Sequence, residues 1–92
     1  MTDPYRWQPP PVTEPRQVFL SARQAEVLTG LCEGFTYRRI GRDMGIADVS
    51  VKNYVWAINQ AMGTRDRCHA VALAVSGAVD IIVLPGRSRR AA

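Results

Sequence analysis

The sequence predicts a small all-α domain of four helices, with an extended proline-rich N-terminal arm and a basic C-terminal tail. Three observations carry this. Helical patterns follow one another from Ser21 to Met62, each with its own start or stop residue. The second and third are separated only by Gly45-Ile46-Ala47, the tight connection of a helix-turn-helix. Apolar residues make up 47% of 92 residues, enough to exclude global disorder and to fill the core of one domain.

The arm is read at 1–18. Pro4, Pro9, Pro10, Pro11 and Pro15 exclude a regular helix there, and the triple proline favours a polyproline form. Trp7 reads as an anchor for a partner groove, as a ring folded back onto the domain, or as a chance aromatic in a disordered leader. Gln17 to Leu20 bring apolar residues back to the core. The domain proper is read at 19–84. Ser21 and Gln24 form a capping box for a first helix over Ala22 to Cys32, with Val27, Leu28 and Leu31 inward. Gly34 and Phe35 make the turn, with Phe35 buried. Thr36 opens a second helix, Tyr37 to Met44, which carries Ile40 and Met44 on one face, exposes Arg38, Arg39 and Arg42, and stops at Gly45.

The third helix, Asp48 to Met62, places Val51, Val55, Ile58 and Met62 on one buried stripe, and Gly63 follows where a left-handed terminus favours glycine. Its opposite face shows Val49, Asn53, Trp56 and Gln60, with Lys52 beside them. Asp66 is the N-cap expected for a fourth helix, Arg67 to Val79. That helix is apolar nearly all round, so it needs cover on more than one side. Asp80 to Leu84 reads as a strand or as further helix, ended by Pro85-Gly86. Its β-branched residues would make a sticky edge if left uncovered. The tail is read at 85–92.

The net charge of +4 belongs mostly to the tail, through Arg87, Arg89 and Arg90. Between Leu20 and Leu84 seven basic residues face six acidic ones, so the folded part has little surplus charge for phosphates. No secretory leader pattern is present, and the longest apolar run, Ala70 to Leu84, is broken by Ser76, Gly77 and Asp80. A cytoplasmic protein with no membrane contact is expected. Cys32 and Cys68 read as half-buried helix residues. With His69 they lack the paired short spacing of a metal site, so neither metal nor cofactor is expected. One histidine and no nucleophile–base constellation argue against an enzyme.

From Leu20-Ser21-Ala22-Arg23-Gln24-Ala25-Glu26-Val27-Leu28 the residues take on a known look. It continues through Glu33-Gly34, Ile40-Gly41-Arg42-Asp43-Met44-Gly45-Ile46 and Ser50-Val51-Lys52-Asn53-Tyr54-Val55. It closes with Ile58, Met62-Gly63, Arg67 and Ala70-Val71-Ala72-Leu73-Ala74. This run resembles the LuxR-type (GerE, NarL/FixJ) DNA-binding domain. The resemblance implies a four-helix domain that binds double-stranded DNA as a dimer to control transcription. It implies a dimer contact on the fourth helix, here Val71, Ala74, Val75 and Ala78. It also makes Glu26 an acidic position that hydrogen-bonds or pairs inside the domain with a basic residue such as Arg67. The bland reading of Glu26 is a solvated side chain. Ala47 departs from the usual capping Ser or Thr, Val49 from a basic or polar residue, Tyr54 from His, Trp56 from a small polar residue or Lys, and Ala57 from Arg.

In a helix-turn-helix the second helix of the motif enters the major groove, which makes Val49, Lys52, Asn53 and Trp56 the candidates for base edges. Thr36, Tyr37, Arg38, Arg39, Ser50, Tyr54 and Arg65 are the candidates for phosphates. The leading expectation is a stand-alone, dimeric transcription regulator. No sensory domain fits in the nineteen residues before the match, so control by abundance or by a partner is expected. The second reading is a protein-binding adaptor on the same scaffold. It would contact RNA polymerase, a sigma factor or another regulator through Trp56 and the arm, because exposed aromatics anchor protein interfaces.

Overall fold

The structure, a computed structural model, describes residues 16–85. The proline arm up to residue 15 and the arginine-bearing tail from residue 86 lie outside the described residues. All four expected helices are present: α1 at Ala22–Cys32, α2 at Tyr37–Met44, α3 at Asp48–Met62 and α4 at Arg67–Ser76. Their ends follow the local chemistry. The Ser21 hydroxyl accepts from the Gln24 backbone N–H while the Gln24 side chain accepts from the Ser21 N–H, so two orphan donors are satisfied at once. Thr36 caps α2 through the Arg39 N–H, and Asp66 caps α4 through the His69 N–H. Ala47 begins α3 with no side-chain bond. Gly45 and Gly63 take left-handed conformations that end α2 and α3, as expected of glycine there.

The core is the stripe read from α3 meeting apolar residues from every other element. Val51, Ile58 and Met62 are fully buried, with Val27, Leu28 and Leu31 of α1, Ile40 of α2 and Ala70 of α4 around them. Phe35 is half-buried rather than buried, and the Arg39 guanidinium lies over its ring at 3.7 Å. Thr64 is buried between α3 and α4, and its hydroxyl is bonded to the Asn59 side-chain oxygen at 2.6 Å.

One feature was not in the all-α expectation. Arg16–Leu20 (β1) and Val79–Val83 (β2) pair in parallel, with Val18 opposite Ile81 and Leu20 opposite Val83. A parallel pair needs a long crossover, and here the four helices themselves are the crossover. Of the run from Asp80 to Leu84, Asp80 to Val83 are therefore strand, and the Leu84 N–H just beyond it bonds the Leu20 carbonyl at 2.8 Å. β1 takes in Arg16 to Val18, at the end of the expected arm. Its guanidinium at Arg16 donates to the Met62 carbonyl, tying the sheet to the last turn of α3. Helix α4 is shorter than expected. Gly77 turns left-handed after Ser76, which places Ala78 beyond the helix and Val79 in the sheet.

Candidate nucleic-acid interface

With its Val51–Met62 stripe buried, α3 turns the other side outward. Val49, Lys52, Asn53, Trp56 and Gln60 are all exposed, Val49 at 62% and Trp56 at 66%. A helix of 3.6 residues per turn brings residues 49, 53, 56 and 60 into one line along this face. All four candidates for base contact therefore share one surface. Lys52 is its only cation.

The turn before α3 is held close by Gly41. A Cβ there would meet the Ile46 carbonyl oxygen at 2.6 Å, and the Ile46 N–H bonds the Gly41 carbonyl at 2.8 Å. Unless the connection shifts, only a glycine lets the α2 backbone approach it this closely.

The phosphate candidates divide into three groups. Thr36, Arg38 and Arg39 stand exposed at the start of α2, and Arg65 stands exposed after α3. Arg39 is also engaged internally, paired with Asp43 at 3.6 Å besides its stacking on Phe35. Tyr37 is half-buried, with the Arg67 guanidinium 4.9 Å from its ring centre. That contact replaces the expected Glu26–Arg67 pairing: Glu26 is an exposed residue, and the ion pair found among the described residues is Arg39–Asp43. Ser50 and Tyr54 form the third group, on the flank of α3, where they line an open cleft of about 400 Å³.

That cleft adds a residue that sequence reasoning missed. Gln24 of α1 joins Ser50, Asn53 and Tyr54 on its walls, with Ile46 and Ala57 completing the lining. The capping bond uses the Gln24 side-chain oxygen, so its amide N–H2 remains to donate. The signal in the sequence was the capping box itself, which marks a side chain held in a defined orientation at the start of α1.

Of the four residues expected on a dimer surface, Val71 and Ala74 are half-buried against the core of their own chain, while Val75 and Ala78 are exposed. Cys32 and Cys68 are both free and exposed, not half-buried. The Cys32 thiol is nevertheless pushed up, first by burial and then by the charge of Glu33, because its side chain lines the apolar cleft between α1, α4 and β2.

A capped short helix, a glycine-tight turn and a longer helix with one exposed face define a helix-turn-helix domain. The model of the GerE family, bacterial regulatory proteins of the luxR family, matches residues 18–74, and the chain belongs to that family. It is similar to the transcriptional regulatory protein DegU of Brevibacillus brevis, at 40% identity over 52 residues, which is 56% of this chain and 22% of that one. The chain thus spans about a fifth of the length of this relative. Among the described residues no helix is long and apolar enough to cross a membrane.

Proposed function

We propose that the chain is a DNA-binding transcriptional regulator of the cytoplasm, acting without a cofactor and not as an enzyme. It binds double-stranded DNA as a homodimer, with α3 laid in the major groove. The observation that carries this is the outer face of α3, where Lys52 and Asn53 stand exposed beside the helix-turn-helix connection. Lysine donates to guanine acceptors, and an asparagine amide pairs with adenine. Thr36, Tyr37, Arg38 and Arg39 at the start of α2, Arg65 after α3, and Ser50 and Tyr54 with Gln24 on its flank hold the phosphates and set the register. The second subunit covers the exposed side of α4 around Val75, with Val71, Ala74 and Ala78 at its margins. Two recognition helices related by a twofold axis suit half-sites about one helical turn apart.

Mobility-shift titrations over a salt series test this. Affinity falls steeply as salt rises, because phosphate contacts release counterions. Lys52→Ala weakens binding. Binding that is negligible at low salt for every duplex in a random pool contradicts the reading.

The exposure of Trp56 at 66% supports a second reading, an adaptor that docks RNA polymerase, a sigma factor or another regulator through this ring and the N-terminal arm. Under that reading Trp56→Ala abolishes capture of the partner while DNA binding is absent throughout.

A further inference from the structure

The outer face of α3 is not a simple polar reading surface. Two of the six exposed large hydrophobic residues among the described residues, Val49 and Trp56, stand on it, one turn before and one turn after Asn53. Both belong to one line along the helix, so a base pair read by Asn53 has an apolar side chain above it and another below. In the major groove the base edges offer hydrogen-bond donors and acceptors with one apolar exception, the methyl group on C5 of a pyrimidine. Val49 laid against any other edge would strip water from polar atoms and return no hydrogen bond, and the broad ring of Trp56 would return at most the one from its indole N–H. Lys52, the single cation of this face, cannot offset that loss over a whole half-site.

We propose that Val49 and Trp56 are specificity-determining residues that read pyrimidine C5-methyl groups on either side of the base pair read by Asn53. This rests on the DNA-binding reading above. Thymine and 5-methylcytosine carry the same methyl at the same place, so both are sources of the contact. The preferred half-site is one in which methylated pyrimidines flank the adenine that suits the Asn53 amide. Its discrimination comes from apolar burial and is therefore nearly independent of salt, unlike the phosphate contacts.

The test uses the whole chain and duplexes selected by it from a random pool. In the strongest duplex each thymine of the half-site is replaced singly by deoxyuridine, which removes only the methyl. In parallel, cytosines are replaced singly by 5-methylcytosine. Burial of one methyl is expected to change affinity about fourfold. A fourfold loss at one or two deoxyuridines supports the proposal with thymine as the source. A fourfold gain at 5-methylcytosine with no loss at deoxyuridine supports it with methylcytosine as the source. The methyl effect disappears in Trp56→Ala or Val49→Ala and survives in Trp56→Phe, with unchanged helix content by circular dichroism. Selected duplexes that bind equally with and without every methyl overturn this inference and leave the DNA-binding reading standing, as does a methyl effect that persists in both alanine variants. A pool from which nothing is selected overturns the DNA-binding reading, and this one with it.

Discussion

Gly41→Ala separates two opposing effects of known sign. In the interior of a helix, alanine in place of glycine stabilises by roughly 1 kcal/mol, because the unfolded chain loses freedom. At Gly41 the new Cβ would lie 2.6 Å from the Ile46 carbonyl oxygen and 3.4 Å from a Val51 methyl. Ordinary contact begins at 3.4 Å, so the Ile46 carbonyl must retreat by most of an ångström. That oxygen belongs to the backbone of the connection, not to the free end of a side chain, and the Ile46 N–H is itself held by Gly41. Overpacking of this kind costs about 1–3 kcal/mol. It exceeds the helical gain, so the variant is expected to be less stable by up to about 2 kcal/mol. Urea unfolding followed by circular dichroism reads the difference as a lower midpoint at unchanged slope. A Gly41→Ala protein with a midpoint equal to or above the parent's would refute the claim that this glycine sets the approach of α2 to the turn.

Three further outcomes follow from named contacts. Ala47→Ser supplies the capping oxygen that α3 lacks, and is expected to stabilise by about 1 kcal/mol, raising Tm by roughly 4–8 °C; a thermal midpoint that does not rise contradicts it. Val75→Glu places a charge on the exposed side of α4, and is expected to shift sedimentation equilibrium toward monomer while stability stays within about 0.5 kcal/mol; an unaltered dimer argues for a different interface. The thiol of Cys32 is held up by burial and then by Glu33, so its alkylation begins at more alkaline pH than that of an ordinary cysteine. Glu33→Gln removes the smaller cause and moves the profile part of the way back toward acid; a profile that moves the other way would assign the wrong sign to that charge.

Most of the helical framework was legible because its determinants are local. Ser21 and Gln24, Thr36, Asp66, and the glycines at 45 and 63 act within one turn of where they stand. The inward stripe of α3 follows from spacing alone. What escaped depends on residues far apart in the chain. The β1–β2 pair joins Arg16 to Val79, and no local pattern says that one short apolar run will lie beside another across the whole domain. The same holds for the Arg16 contact with the end of α3 and for the stacking of Arg67 over Tyr37, which displaced the expected partner Glu26. Helix α4 was read too long because Ala78 and Val79 extend its apolar pattern, while the left-handed turn at Gly77 ends it. The base-reading candidates were legible as a group, since one helix face decides them all. Gln24 was not, because its place beside Ser50 and Tyr54 depends on how α1 packs against α3.

The direct test of α3 as the reading surface is nuclear magnetic resonance of the isotope-labelled chain, titrated with a selected duplex. The Trp56 indole N–H, the Val49 methyls and the Asn53 side-chain amide each report from the outer face, and buried Ile58 and Val27 serve as controls. The expected result is that the three outer-face signals shift or broaden together at stoichiometric duplex while the buried ones hold still. Saturable binding in which those three signals stay unmoved, with the changes gathered on β1, β2 or the chain ends, would contradict it.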